Sequence, residues 1–433
     1  MGKGLIKLVV GGQFGSEAKG LYVEKEAKKG HIKVHVRTGA INAGHTVYLT
    51  RGGKRQRLVF QTLPCGSIDP CATLVIGAGA YVEPDHLAKE IEMVDGLYGA
   101  GSTGQRLVID FKSGHHSQAD VEEEVGAGMH ARMGSTAHGC MAASVRKMRR
   151  LNEYQQFSQT ARGQEMAKVY GFTFGDASKL LNATYDEGGE VMLEGTQGTG
   201  LDFFHGTYPY NTSRSTIAAN WMAEAGLSPR LKSEVALICR AYPIRVAGNS
   251  GPFNNEVEWL DLARTVNAKR EALNMPPVVD EGILKEYERQ CIDLAGTLGL
   301  PSHKPSEWTE KQRFDFKEQL SGFHQNVFKR MSDSTVEELK GFFEITTVTK
   351  KLRRIAKPDW DLLRKSVQLN RPDFIVLNFL NYEFPNVEAC KKLRDLKSLP
   401  NWMEVAAYVN EWEMQTGVKV KYVGTSRFNL IRL

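Results

Sequence analysis

The sequence predicts an α/β fold: a large, mostly parallel central sheet with surrounding helices and a helical insertion in its second half. Three observations lead there. Short β-branched runs recur along the 433 residues, helix-like segments separate several of them, and glycine-dense loops follow several of the runs. In sheets of this class, ligands bind at the loops outside the carboxyl ends of the strands. The glycine loops therefore mark where function is expected.

The strand candidates are 5–10 (LIKLVV), 33–36 (KVHV), 73–76 (TLVI), 106–110 (RLVID), 190–193 (EVML), 235–239 (VALIC) and 374–377 (FIVL). Segments 85–95 and 215–226 read as helices between them. Residues 256–340 differ. They are rich in Glu, Lys, Leu and Gln with apolar positions at helical spacing, as in ILKEYERQCIDLAGTL, and are punctuated by Pro276-Pro277 and Leu300-Pro301-Ser302. We read them as a helical insertion whose charges form a solvated face. With no internal repeat and no low-complexity linker, residues 1–433 read as a single α/β domain carrying that insertion.

Hydrophobic content of 41% is ample for a packed core. Net charge is +6, from 56 Lys and Arg against 50 Asp and Glu, without a long basic run. A bias of this size suits anionic small substrates such as nucleotides. Aromatic–basic interleaving is missing, so no nucleic-acid partner is expected. No apolar stretch approaches the ~18–20 residues needed to cross a bilayer. MGKGLIKLVV reads as a first strand and not as a signal peptide. Cys65, Cys71, Cys140, Cys239, Cys291 and Cys390 form no CxxC pair and show no metal-ligand spacing, which points to reduced thiols in a cytoplasmic protein.

The first strand candidate runs into Gly11–Gly20, GGQFGSEAKG, and then VEKEAKKG. A strand, a glycine-dense loop with a lysine, and a helix make a phosphate cradle from backbone N–H groups and the helix N-terminus. It is not a Walker A loop: Lys19 precedes Gly20 where that motif has Ser or Thr, and the four-residue gap between glycines is missing.

The loop resembles the G-x-Q-W-G-D-E-G-K-G loop of adenylosuccinate synthetases. Four further blocks follow in the same order. Asn42-Ala43-Gly44-His45-Thr46 matches N-A-G-H-T, and EGTQGTGLDFFHGTYPYNTS at 194–213 matches E-G-x-Q-G-T…H-G-T-Y-P-Y-x-T-S. Arg240-Ala241-Tyr242, Arg245-Val246 and Gly251-Pro252-Phe253 match K-A-Y-x-T-R-V-G-x-G-P-F. Val367-Gln368-Leu369-Asn370 matches V-Q-L-N. The resemblance implies a Mg²⁺-dependent ligase. In that family a nucleoside triphosphate phosphorylates a purine 6-oxo group, and aspartate then displaces phosphate.

On that resemblance, Ser16, Lys19, His45 and Gln197 would be the catalytic residues. Lys19 would be a point charge on the donor phosphates, and His45 would donate to a phosphate oxygen. The nucleoside monophosphate would meet Ser16, Asn42, Thr136, Gln197, Thr212 and Val246. Arg149 or Arg150 would reach a monophosphate across a homodimer interface. The donor nucleotide would meet Gly15, Glu17, Ala18, Lys19, Gly20, Gly44, His45 and Thr46, then Asn381, Gly424, Thr425 and Ser426. Aspartate would be held by Thr349, Lys351, Arg353 and Arg354. Arg353 and Arg354 keep the fork that binds a carboxylate bidentately, whereas Lys351 replaces an arginine. Ser16 and the Gly44 carbonyl would hold magnesium.

Three departures from the family pattern point one way. Ser16 stands where the family has an aspartate beside purine N1. Guanine adds an exocyclic 2-amino group there, which a carboxylate would crowd and a serine oxygen can accept from. Asn381, in Asn378-Phe379-Leu380-Asn381, replaces the aspartate of T-K-L-D. A carboxylate only accepts, suiting guanine; an amide donates and accepts, suiting adenine N1 and its 6-amino group. The tail Val423-Gly424-Thr425-Ser426-Arg427 shortens the family's S-T-G-P-D-R donor loop. Together they resemble the phage-type N6-succino-2-amino-2′-deoxyadenylate synthase branch of the family. The expectation is a ligase joining dGMP to L-aspartate with ATP or dATP, on the route to diaminopurine DNA, in the cytoplasm (of the host, if phage-encoded). The alternatives are an ordinary synthetase acting on IMP with GTP, and a catalytically silent nucleotide sensor.

Overall fold

The computed structural model describes residues 4–129, 136–150, 154–246, 250–300, 308–309, 311–313, 315–316, 341–345 and 352–433. The first strand, β1 (Leu5–Gly11), is buried on both faces. Its alternate residues Ile6, Leu8 and Val10 enter one apolar cluster with Leu193 and Trp221, while Val9 enters another with Leu21, Tyr22 and Ile238. A strand covered on both sides carries a continuous apolar run, and LIKLVV is such a run.

Among the described residues, ten strands form the main sheet. In spatial order they are Leu430–Arg432, Val420–Gly424, Phe374–Asn378, Ser233–Arg240, β1, Glu190–Glu194, Ile32–Arg37 (β2), Thr73–Ile76, Leu107–Asp110 and Thr173–Gly175. All neighbours run parallel except the first pair in that order, Val420–Gly424 with Leu430–Arg432. Each of the seven runs read from the sequence falls on one of these strands, the run 106–110 starting one residue early at Arg106. The helix expected at 85–95 extends over Pro84–Tyr98, with Pro84 at its first turn and Glu83 capping it. The one expected at 215–226 is shorter, Ala218–Glu224.

Parallel pairing sets the register that builds the site. Val9 lies opposite Glu194, Gly11 opposite Ile238, Arg37 opposite Glu194, and Arg240 opposite Asn378. The loops leaving β1, Glu190–Glu194, Ser233–Arg240 and Phe374–Asn378 therefore meet at one edge. His45 is the first residue of β3 (His45–Arg51), which pairs antiparallel with β4 (Lys54–Phe60) through a Gly52-Gly53 turn with positive φ at both glycines.

In the 256–340 region, helices Trp259–Glu271 and Glu281–Thr297 are described. Leu262, Val266, Leu284 and Tyr287 share a core with Leu237 and Leu377 of the sheet. Their inner faces are thus packed, and their charged residues form ion pairs such as Arg264–Glu288 on the outer side.

His35 on β2 is fully buried, and neither ring nitrogen has a hydrogen-bond partner among the described residues. Burial lowers its pKa to about 4, Glu194 opposing and Arg106 adding to the shift. A folded pKa below the unfolded value gives stability that is present above the unfolded pKa and lost as pH falls toward the folded one. Chemical denaturation should show His35 alone costing about 2 kcal/mol between about pH 7.5 and about pH 5. The His35→Gln variant should lose correspondingly less over that window.

Candidate active site

The chain leaves β1 through Gly11-Gly12 and enters helix α1 (Lys19–Ala27). Gly11 is required by proximity: a Cβ there would lie 2.2 Å from the Gln197 carbonyl oxygen of the second glycine loop. Ser16 (φ 59) and Ala18 (φ 65) both adopt the left-handed conformation, as does Gly15 (φ 89). For residues bearing a Cβ this costs about 1–2 kcal/mol each. The left-handed Ala18 gives α1 an N-terminus with no side-chain cap and no acidic residue in its first turn. An uncapped helix N-terminus that follows a glycine loop is the arrangement that binds phosphate.

The loop is held by buried charges. One carboxylate oxygen of Glu17 accepts from the Gly15 N–H (2.6 Å) and the Gln13 N–H (3.2 Å). The other pairs with Lys19 Nζ at 2.6 Å, and Nζ also donates to the Gln197 carbonyl at 2.5 Å. Ser16 itself is exposed. Its carbonyl accepts from Arg240 Nη1 at 3.1 Å, and its hydroxyl has no partner among the described residues.

A second buried group stands beside the loop. Glu194, at the end of its strand, pairs with Arg37 Nη1 at 3.0 Å, with His45 Nδ1, and with the Cys65 N–H at 2.8 Å. Burial opposes ionisation of Glu194, but His45, Arg37 and the Cys65 N–H outweigh it and hold the carboxyl at about 2. Burial and the neighbouring Arg37 push His45 down to about 4, against the pull of Glu194. The neutral imidazole therefore donates from Nδ1 to the carboxylate and leaves Nε2 as its second functional atom. His45, Cys65 and Glu194 are close enough to suggest a metal centre. The Arg37 guanidinium, 3.0 Å from Glu194 and 3.2 Å from His45 Nδ1, already supplies the positive charge and excludes that use.

Gln197 is left-handed (φ 56) and bridges Thr196 and Thr212: it accepts from Thr196 Oγ1 at 2.9 Å and donates to Thr212 Oγ1 at 3.2 Å. Asn42, Thr46, Thr136 and Val246 are half-buried, and Gly44 is exposed. Arg149 and Arg150 lie exposed at the end of helix Cys140–Arg149, outside this constellation.

The expected donor-base residues also converge. Gly424 packs against Asn378 so closely that a Cβ would sit 2.3 Å from Asn378 Oδ1. Asn378 Nδ2 in turn donates to the Glu17 carbonyl at 2.7 Å. Asn381 Oδ1 is buried without a partner among the described residues. Thr425 and Ser426 are buried beside them, Thr425 Oγ1 donating to the Cys390 carbonyl.

Of the expected aspartate contacts, Thr349 and Lys351 lie outside the described residues. Arg353 is half-buried, its pKa lowered by burial, with Glu344 opposing and Arg240 adding to the shift. The Arg354 fork is already engaged: it makes two 2.8 Å bonds to the Glu256 carboxylate and one to the Gly251 carbonyl. That leaves Arg353 as the described guanidinium suited to a substrate carboxylate. Sequence reasoning missed Arg37, Glu194, Arg240 and Glu344. The first three stand inside or beside quoted motifs, so only pairing across strands reveals their roles.

A family model described as adenylosuccinate synthetase matches residues 8–156 and 146–392. Adenylosuccinate synthetase of Methanococcus maripaludis is 34% identical over 256 residues, covering 58% of this chain and 69% of the relative. That of Methanocaldococcus jannaschii is 34% identical over 255 residues, covering 58% and 68%. Among solved structures, the cyanophage S-2L succinoaminodeoxyadenylate synthetase bound to dGMP and dATP superimposes with a TM-score of 0.67 at 21% identity, covering 99% of this chain and 95% of that one. Fully ligated adenylosuccinate synthetase from Plasmodium falciparum gives 0.69 at 17% identity, covering 99% and 100%. At these identities the two structures establish the shared fold.

Removing one partner of a buried ion pair leaves the other charge uncompensated. Glu194→Gln should therefore lower unfolding free energy by roughly 3–5 kcal/mol in urea titrations. A loss under about 1 kcal/mol would show that Arg37 does not depend on this carboxylate.

Proposed function

The chain belongs to the adenylosuccinate synthetase family of carbon–nitrogen ligases, and from that premise we propose that it condenses dGMP with L-aspartate using ATP or dATP. The observation that carries the reading is Ser16: an exposed serine, held left-handed, where the family has an aspartate. A small hydroxyl free of partners among the described residues leaves room for the guanine 2-amino group and can accept from it. Asn381 supports the matching change in donor. Its buried, unpaired Oδ1 can accept from an adenine 6-amino group while Nδ2 donates to N1. The S-2L enzyme's dGMP and dATP are the same pairing.

In this reading the guanine 6-oxo oxygen attacks the donor γ-phosphorus as the N1 proton passes to solvent water, releasing ADP or dADP. The aspartate amine then attacks C6, and the C–O bond breaks to release phosphate. Lys19 moves from Glu17 and the Gln197 carbonyl toward the transferring phosphoryl group. His45, backed by Glu194, takes up a proton at Nε2 once the incoming anion offsets the field of Arg37, and then donates from Nε2 to a phosphate oxygen. Gln197 orients the base, and Asn42, Thr136, Thr212, Val246 and an arginine from Arg149 or Arg150 of a homodimer hold the monophosphate. Arg353, with Thr349 and Lys351, receives aspartate. Magnesium fits hard oxygen donors left free in the structure: the exposed Gly44 carbonyl and the Ser16 hydroxyl, since Glu17 is consumed by its own bonds. When bound, the ion would neutralise charge on the phosphates. Among the described residues no helix is long and apolar enough to cross a membrane, and the reading includes a cytoplasmic location and no nucleic-acid partner.

The second reading, IMP with GTP, is favoured by the names of the archaeal relatives. Phosphate release, measured with Mg²⁺ and aspartate for dGMP or IMP against ATP, dATP or GTP, separates them. Turnover is expected with dGMP and an adenine donor; turnover confined to IMP with GTP would overturn the proposal, and none with any pair would favour a sensor. Ser16→Asp should lower kcat/KM for dGMP by about 10–100-fold, a steric and charge penalty of ~1.4–2.7 kcal/mol. Asn381→Asp should shift donor preference from ATP toward GTP in the same assay.

A further inference from the structure

Arg240 is almost fully buried, yet the reaction outlined above leaves it without a task. Its side chain touches three segments that the proposed function assigns to three different substrates. Nη1 donates to the Ser16 carbonyl at 3.1 Å, on the acceptor-base side. The guanidinium carbon stacks 4.0 Å from the centre of the Phe379 ring, in the donor-base motif that continues to Asn381. Nη1 and Nη2 grip both oxygens of Glu344, and Nε is anchored on the Tyr242 carbonyl at 2.9 Å. Glu344 belongs to the aspartate side: its carbonyl accepts from the Arg353 N–H at 2.9 Å, and the next residue, Ile345, bridges to Leu352. Tyr382 adds a 3.0 Å bond from its hydroxyl to Glu344, joining donor and aspartate sides again.

Two of the contacted residues, Ser16 (φ 59) and Phe379 (φ 61), are left-handed without being glycine. Such conformations persist only where surrounding contacts over-determine them. Here one guanidinium supplies a hydrogen bond to the first and a stacked face to the second. The Gln13 side chain fixes the Arg240 backbone in both directions, donating to its carbonyl and accepting from its N–H. The cation therefore cannot shift without moving the phosphate loop.

We propose that Arg240 is a positioning residue, and that its ion pair with Glu344 couples occupancy of the nucleotide loops to the placement of Arg353 for a substrate carboxylate. The coupling rests on the ligase reading for the identity of its ligands. Glu344 lies between two guanidinium groups, and Arg240 neutralises it. Loss of the pair from either side unties segment 341–345, whose Glu344 carbonyl holds the Arg353 N–H, from the nucleotide loops and leaves Arg353 misplaced for the incoming aspartate.

The test uses the full chain and two variants, Glu344→Gln and Arg240→Lys. With the nucleotide pair that the wild type turns over best, Glu344→Gln should raise KM for aspartate about tenfold while kcat changes less than about threefold. An aspartate KM within about twofold of wild type would overturn the proposal. Amide hydrogen exchange supplies a readout that needs no turnover. In the wild type, Mg-ATP should slow exchange across 341–345 and 352–356; both variants should lose that response while exchange in strands Leu5–Gly11 and Ser233–Arg240 stays unchanged. No response in the wild type, or an undiminished one in the variants, would overturn it. Absence of turnover in a wild type that still shows the exchange response would count against the ligase reading alone.

Discussion

Glu194 is the constraint on which the site depends. It is a carboxylate with no access to water at the centre of a ten-stranded sheet. An unpaired charge there would cost several kcal/mol, so its partners are obligatory. Arg37 comes from the neighbouring strand in register, His45 from the start of a β-ribbon, and the Cys65 N–H from a third segment. Meeting the needs of one oxygen pair thus docks the ribbon onto the sheet and fixes the imidazole. Glu17 repeats the arrangement one strand away, with Lys19 and two backbone N–H groups. The two glycine loops then approach so closely that only glycine fits at position 11.

These pairs leave the site poised but not committed. Lys19 rests on Glu17 and a carbonyl, and His45 rests on Glu194 as a neutral ring. Both are cations or latent cations held next to an uncapped helix N-terminus. An arriving triphosphate brings the charge that redirects them, so positioning and electrostatics, which carry most of phosphoryl transfer, are built before the substrate binds. Under the proposed function, substrate identity turns on small exchanges at the periphery. A hydroxyl in place of a carboxylate at Ser16 and an amide in place of a carboxylate at Asn381 alter which hydrogen bonds are accepted, not the machinery between them.

The sheet was legible because its strands are buried on both faces and so appear as uninterrupted β-branched runs; all seven lie in the sheet. Thr173–Gly175 escaped because three residues carry no period. The β3–β4 ribbon escaped because Lys54–Phe60 opens with four exposed residues and reads as a charged loop. Among site residues, those inside glycine motifs could be named because the motifs resemble those of a known family. Arg354 shows where a motif ends: its fork is closed by Glu256, 98 residues away in sequence. Arg37, Glu194, Arg240 and Glu344 were hidden for the same reason, since an ion pair between residues far apart in sequence leaves no local pattern.

Central to the proposed function is phosphoryl transfer to the 6-oxo group of a guanine nucleotide at a serine-bearing loop. The direct measurement is isotope transfer. With dGMP carrying ¹⁸O at the 6-position, aspartate and ATP or dATP, the label should appear in the inorganic phosphate released, one atom per turnover. Label retained in the nucleotide product, or phosphate released without it, would contradict the account.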